Sequence, residues 1–524
     1  MRIALAAALA MAPAPLAAQA SLSWAGGVLG DEVVYRIDGS PGELFGLELA
    51  VGDEPPSSEL WSFGVLGVDG TALASFPLPG DARLAGMTLK AQAWTAPSAG
   101  APRQEATKLV AFLLSLEGES HFARNDTLLP RRLHSSTELE DGRVLVAGGL
   151  DPLGPDGGPG EVYDHFELFD PQVQEFSGEL GSLQHRRARH TATRLQDGRV
   201  LLAGGVGGSG GSGGPEPAVL RSAEIFDPAT GVTTPVASMS AQRVFHTATL
   251  LEDGRVLVVG GSRDYEPGDP IGYPRSLDEP SSAVTELFDP ATGTWRPGPS
   301  LGLPLTAHQA TRLADGTVLV SGGVTFAEGA AVTTAACRRF DPATDTFATP
   351  PPSLPLPTAF HAALRTDDGR VLVAGGGDVD PAAASFGWTT ATHLFQPSGS
   401  GAWAAAPNLP SITGPDGRRH CICREPIGGP PISDGPDDLP CPGPIFYFVG
   451  GGLGDYAPQP GGAGAPSAIW GSDGSFTGWT SGGTTLVERQ QVSTTVIDLG
   501  RRVLFTGASS GARDLSAELW TTDF

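Results

Sequence analysis

His246-Thr-Ala-Thr-Leu-Leu-Glu-Asp-Gly-Arg-Val-Leu-Val-Val-Gly-Gly261 is the stretch on which the fold turns. Asp253-Gly254 lies between two β-prone runs. It predicts a two-residue hairpin, because glycine accepts the positive φ that a type I′ turn requires. Near-copies begin at His134, His190, His308 and His361, so that successive intervals are 56, 56, 62 and 53 residues. A near-constant period of this size marks a repeat architecture, and the fold must be read from the unit.

Downstream of each Gly pair comes a loop of variable length, then a third strand such as Val284-Thr-Glu-Leu-Phe288. Asp289-Pro-Ala-Thr-Gly293 follows, and then a fourth strand around Trp295. Asp-Pro-x-x-Gly reads as a tight turn, in which Pro presets φ and Asp bonds nearby backbone. Versions of it begin at Asp170, Asp227 and Asp341. Four short antiparallel strands cannot bury a sheet alone; stacked radially, such units bury their faces against each other as propeller blades.

The Gly pair, the aromatic ending the third strand and a second aromatic seven positions later together resemble the kelch repeat. Phe169 with Phe176, Phe288 with Trp295 and Phe340 with Phe347 fit that spacing. Phe226 is followed by Thr233, and Phe395 by Trp403, one residue late. The resemblance covers roughly residues 121–524 and implies an all-β, seven-bladed kelch-type β-propeller like the central domain of galactose oxidase. It fixes no function, since such propellers serve as binding scaffolds and as enzymes. The blades start near 134, 190, 246, 308, 361, 418 and 489. The last lacks a fourth strand, so a strand near 121–129 is expected to close the ring. Six blades plus an irregular cap is the alternative.

Residues 1–20, MRIALAAALAMAPAPLAAQA, read as a secretory signal peptide, and hence a secreted, periplasmic or surface location. Residues 21–118 do not follow the repeat. Their short strand-like runs between Gly/Pro/Ser clusters predict a small accessory β-sandwich before the propeller domain at 119–524. No later apolar run approaches the length of a membrane span. With 58 acidic and 33 basic residues, a net charge of −25, the chain is poorly suited to nucleic acid or anionic membrane.

Three of the four cysteines, Cys421, Cys423 and Cys441, fall in one atypical segment. A disulfide from Cys441 to Cys421 or Cys423 is expected, and export permits it. Zinc on His420, Cys421, Cys423 and Cys441 is the less fitting alternative, since Cys-x-Cys matches standard zinc spacings poorly. Cys337 is expected as a buried free thiol.

In an up-and-down blade the first and third connections share one end, here short Asp-Gly and Asp-Pro turns. The second connections gather at the other end and vary: Leu150–Asp164, Val206–Arg221, Ser262–Ser282, Val324–Ala335 and Gly377–Thr390. That diverse face is the candidate binding face, because rigid scaffolds carry function on loops. Its richest loop holds Arg263, Asp264, Tyr265, Glu266, Asp269 and Tyr273. Gly204–Gly214 reads as a flexible glycine-rich loop rather than a phosphate cradle.

The repeated His134, His190, His246, His308 and His361 open the inner strands. A structural job in each blade, such as bonding the neighbouring backbone, is the favoured reading; a metal- or anion-binding ring is the other. Arg189 and Arg243 precede two of these histidines and either widen an anion-binding mouth or pair with acidic neighbours. A fold that is all scaffold, with a variable loop face and no catalytic constellation, therefore suggests a monomeric scaffold binding a protein or carbohydrate, with no cofactor. The alternative is a galactose-oxidase-like or other propeller enzyme acting on carbohydrate. The resemblance would then imply copper held by two Tyr and two His, but none of Tyr35, Tyr163, Tyr265, Tyr273, Tyr447 and Tyr456 falls in a recognisable ligand motif.

Overall fold

The structure, a computed structural model, describes residues 21–25, 32–51, 60–77 without 69, 88–98, 103–105, 110–113 and 120–122. It also describes 127–408 apart from 152–160, 172–173, 208–217, 264–282, 328–329, 367–368, 381–384 and 400. Beyond 408 it describes the strands 446–449, 468–472, 480–484, 493–497, 502–506 and 518–521. The chain divides into two compact units, 1–116 and 117–524. Every named element among the described residues is a β-strand.

In the first unit, Ser21–Ala25, Glu32–Asp38 and Thr71–Pro77 form one antiparallel sheet. Leu60–Val65, Leu44–Val51, Thr88–Ala96 and Gln104–Glu105 form a second, with Val110–Leu113 also on Thr88–Ala96. Alternation sets the buried face, with Leu89, Ala91 and Ala93 inside and Lys90, Gln92 and Trp94 half-exposed between them.

The second unit is a series of antiparallel sheets, and each of the five clear repeats makes one. In the third blade, Thr247–Leu250, Val256–Val259, Thr285–Asp289 and Thr294–Pro297 pair in sequence order. The corresponding first strands of the other blades are Ser135–Glu138, Thr191–Arg194, Gln309–Arg312 and Ala362–Arg365. Two further sheets follow. One is three-stranded, with Phe446–Val449, Ala468–Ser472 and Thr480–Thr484. In the other, Ser493–Ile497, Arg502–Thr506 and Glu518–Thr521 take Ser120–Phe122 as a fourth strand. First strands stand side by side: Ser493–Ile497 lies next to Ser135–Glu138, and from there the contacts run blade by blade to Ala362–Arg365.

The second strands explain why the sequence carries apolar runs rather than alternation. All four residues of Val256–Val259 are buried, because both faces of the sheet are covered. Val256, Val258 and Phe288 pack back on Leu201, Ala203 and Ile225 of the second blade. Leu257, Val259 and Leu287 pack forward on Val318, Val320 and Phe340 of the fourth. The core here thus lies between blades, whereas Ala362, Leu364, Leu372, Ala374 and Leu394 cluster on one face of the fifth blade's own sheet. The aromatic spacing is a cross-strand pair: Phe288 faces Trp295 with ring centroids 4.8 Å apart, Phe169 faces Phe176 at 5.0 Å and Phe395 faces Trp403 at 4.9 Å.

The Asp-Gly hairpins differ from the type I′ expectation. Gly254 has φ +86° but Asp253 does not share the left-handed region. Gly254 N donates to Leu251 O at 3.1 Å, and Leu251 N donates to Arg255 O at 2.8 Å. This is a type I turn followed by a left-handed glycine, the three-residue hairpin with a bulge. Asp253 makes it cheaper: Oδ1 accepts from Arg255 N at 3.0 Å and Oδ2 from Arg255 Nε at 2.7 Å. The Asp-Pro turns are one residue wider than a β-turn, with Gly231 N donating to Asp227 O at 2.8 Å.

This turn face is latched blade to blade. Arg143 and Arg255 reach across to Pro228 O at 3.1 Å and Pro342 O at 3.0 Å. In the fourth blade Thr317 stands where the others have Arg. There Arg339, on the third strand, supplies the guanidinium to both Asp315 and Pro397 O. The latch survives a change of residue.

Candidate functional site

The opposite face is built on the four residues that lead into each blade: Arg131–His134, Arg187–His190, Arg243–His246, Leu305–His308 and Thr358–His361. The second, third and fourth positions keep one role in every copy, and the first does so in three of the five.

The first position pins the incoming chain to its blade. Arg187, with no exposed side-chain surface, bonds Glu224 Oε1 through Nε at 3.0 Å and Nη2 at 2.7 Å, and Gly204 O through Nη1 at 3.0 Å. Glu224 Oε2 takes Gln184 N at 2.7 Å. Arg131 with Glu167, and Arg243 with Glu286, repeat the arrangement. Burial with every polar atom of the carboxylate engaged is what makes such a pair tolerable. Arg243 is therefore buried against Glu286 and does not line the mouth. The pattern was present in the sequence as Arg three before His together with Glu two before the third-strand Phe, in the same three copies. The fourth and fifth blades replace both members, with Leu305 and Arg338, and Thr358 and His393.

The second position bridges outward. Ala188 pairs with Val206, Val244 with Ser262, Thr306 with Val324 and Ala359 with Gly377. The second connections then rise as small hairpins: Val206–Gly207 with Ala218–Val219, Val324–Ala327 with Ala330–Thr333, and Gly377–Asp380 with Ser385–Trp388. They form an upper tier with its own apolar packing, including Leu150, Val162, Ala188, Val206 and Val244.

The third position is left-handed in every copy: Leu133 φ 57°, Arg189 52°, Phe245 57°, Ala307 51° and Phe360 54°. Non-glycine residues adopt this conformation rarely, and five equivalent instances mark a constraint imposed by the ring. Backbone bonds run between neighbours, with Arg189 N to Leu133 O at 2.8 Å, Ala307 N to Phe245 O at 3.1 Å and Phe360 N to Ala307 O at 3.0 Å. The side chains differ while the backbone does not. The Arg189 guanidinium sits 4.7 Å above the Phe245 ring, and Phe245 meets Phe360 edge-on at 5.8 Å.

The fourth position is the histidine, and it reaches back to the preceding blade. His190 Nε2 lies 2.8 Å from Ser135 Oγ, His246 Nε2 3.1 Å from Thr191 Oγ1, and His308 Nε2 3.0 Å from Thr247 Oγ1. His361 bonds Ser321 Oγ at 3.2 Å and His134 bonds Thr506 Oγ1 at 2.8 Å. The partner is in each case a side-chain hydroxyl, and His246 also meets the backbone of Ala203 in the preceding blade, the kind of contact the sequence suggested. Ser321 is the cross-strand partner of Gln309, so the second strand supplies the hydroxyl that the first lacks. Burial lowers these imidazoles to about 3 at His134, His246, His308 and His361, and well below the ordinary value at His190. They are neutral at pH 7. The Gly pairs make room for them: a Cβ on Gly260 would stand 2.2 Å from Leu305 O and 3.0 Å from His308 Cε1.

Of the loop residues singled out in the sequence, Arg263 is exposed beside the Val244–Ser262 bridge. Asp264, Tyr265, Glu266, Asp269 and Tyr273 lie outside the described residues, as do residues 1–20, read from the sequence as a signal peptide, and His420, Cys421, Cys423 and Cys441. Cys337 is buried and unbridged on the third strand of the fourth blade. Among the described residues, no three His, Cys, Asp or Glu side chains come together as metal ligands.

Residues 243–302 match the Kelch motif family. No curated protein matches the chain significantly. One similar solved structure is described as a novel fungal alcohol oxidase with catalytic diversity among the AA5 family, in complex with copper. It aligns at a TM-score of 0.51 and 14% identity, over 77% of this chain and 76% of that one. The structure of YjhT aligns at a TM-score of 0.44 and 15% identity, over 68% of this chain and 98% of that one. The first likeness speaks for the fold. The third-position side chains do not fit a copper site of two Tyr and two His, since Leu133, Arg189, Phe245, Ala307 and Phe360 supply no phenolate.

Proposed function

We propose that the chain, a kelch-repeat propeller protein, is an exported recognition scaffold that binds a protein or a glycan through the loop face. In this reading seven blades form a closed ring with Ser120–Phe122 completing the last, and a β-sandwich precedes it. One observation carries the functional reading. At five equivalent left-handed positions the backbone is held constant while the side chains are Leu, Arg, Phe, Ala and Phe, inside a tier of hairpins of unequal length. The turn face, by contrast, repeats the same Asp–Arg latch. Constant scaffold with variable side chains is what a recognition surface requires; Leu133, Arg189, Phe245 and Phe360 are half-buried and offer part of their surface, while Ala307 is buried. No helix among the described residues is long and apolar enough to cross a membrane.

The test is capture of partners by the mature protein on a glycan array and from extracellular protein fractions, repeated after replacing Ser262–Ser282 with a short Gly/Ser loop. Loss of capture supports the face; unchanged capture of every partner removes it. Copper analysis with peroxide release on sugar and alcohol substrates tests the enzymatic alternative, which stoichiometric copper with turnover would establish.

A further inference from the structure

We propose that the five inner histidines make the ring of blades an acid-operated clasp, which holds the seams shut at neutral pH and releases them together on acidification. Each imidazole spans a seam, with Nε2 2.8–3.2 Å from a hydroxyl of the preceding blade. The contact persists when the hydroxyl moves from the first strand to the second, as at Ser321 and Thr506, so it is the bond across the seam that is kept. The series covers the seams from the Thr506 sheet to the fifth blade. Among the described residues it ends there: the fifth blade has Ala362 and Ala374 at the two hydroxyl positions.

The seams are hostile to imidazolium. Nδ1 of all five rings is buried and has no protein hydrogen-bond partner, so an N–H there would go unsatisfied; at His246 a bond to the Ala203 backbone opposes the other influences without outweighing them. The charged groups that the rings feel are all cationic or can become so. Arg131 acts on His134; Arg187, His134 and His246 act on His190; Arg243, His308 and Arg187 act on His246; His361 acts on His308. At His361 burial acts alone. No carboxylate is among these influences, and the three arginines are themselves held by Glu167, Glu224 and Glu286. Folded-state values lie below the unfolded value near 6.5, so the clasp's full strength is present above that pH and is lost as pH falls toward 3. Opening takes up as many as five protons.

The experiment is hydrogen exchange of the whole chain between pH 8 and 4, corrected for intrinsic exchange, with the opening constant read at the buried second strands. The proposal expects the constant to rise below pH 6 with an order approaching five in protons, up to about 10⁵-fold per pH unit. His308→Gln removes one proton, making the rise tenfold shallower per unit. Thr247→Val breaks the same clasp but leaves the imidazole in place. It raises opening at pH 8 and keeps the steepness, which guards against a histidine variant that merely folds poorly. A rise of first order or less, or one that keeps its steepness in His308→Gln, overturns the proposal. Asp197, Asp253 and Asp315, held below the usual carboxylate range, titrate at lower pH and do not mimic the effect.

Discussion

Replacing Glu224 with Ala strands a guanidinium in the second blade. Arg187 has no exposed side-chain surface and loses both charge-assisted bonds to Oε1, while Gln184 N loses its acceptor at 2.7 Å. Breaking a buried pair from one side costs about 3–5 kcal/mol. Arg187→Leu strands the carboxylate instead and costs about the same. The double variant Arg187→Leu/Glu224→Leu removes both charges; Gly204 O and Gln184 N lose their partners, at about 1–3 kcal/mol each, and the longer contacts to Ser222 O and Oγ go as well. Its loss should therefore fall well short of the sum of the two single losses. The fourth blade, with Leu305 and Arg338 in these places, already dispenses with the pair: Arg338 bonds Leu301 O at 3.2 Å and Cys337 O at 2.9 Å. Opening free energies from hydrogen exchange at Ala223–Asp227, measured for the four proteins, give the cycle. A double-variant loss equal to the sum of the single losses would show that the two charges do not compensate each other, and would refute this account of the pin.

Three further outcomes follow from the same geometry. Gly260→Ala places a methyl 2.2 Å from Leu305 O at a left-handed φ, and should abolish soluble folded protein, whereas Gly231→Ala, with no atom within 4 Å, should lower stability by only about 1 kcal/mol in thermal melts. Burial pushes the Cys337 thiol up to about 12, so native protein should leave it unreactive to a thiol reagent at pH 8, while denaturant exposes it at once. Trp403→Phe keeps the pairing with Phe395 but drops the indole bond to Pro352 O at 2.9 Å, and should cost about 1 kcal/mol in the same melts.

The propeller was legible because its determinants are local and repeated. Asp-Gly, the apolar run, the Gly pair and the spaced aromatics each specify a strand or a turn within a few residues. The turn subtype was not legible, since Asp253-Gly254 suits type I′ and the bulged hairpin alike, and only the φ of Asp253 separates them. The site was harder for a related reason. Left-handed Leu133, Arg189, Phe245, Ala307 and Phe360 are not residues that advertise such a conformation, which the ring imposes from outside. The histidine partners lie 40 to 372 residues away, and at Ser321 the hydroxyl has changed strands. Only the Arg–Glu pin left a trace, in the joint loss of both members from the fourth and fifth copies.

The measurement that bears most directly on the recognition reading is a hydrogen-exchange footprint of the protein with a captured partner bound. The account predicts protection concentrated at 150–164, 206–221, 262–282, 324–335 and 377–390 and around Arg189, Phe245 and Phe360. Protection centred on the Asp-Gly and Asp-Pro turns, with the loop face unchanged, would contradict it.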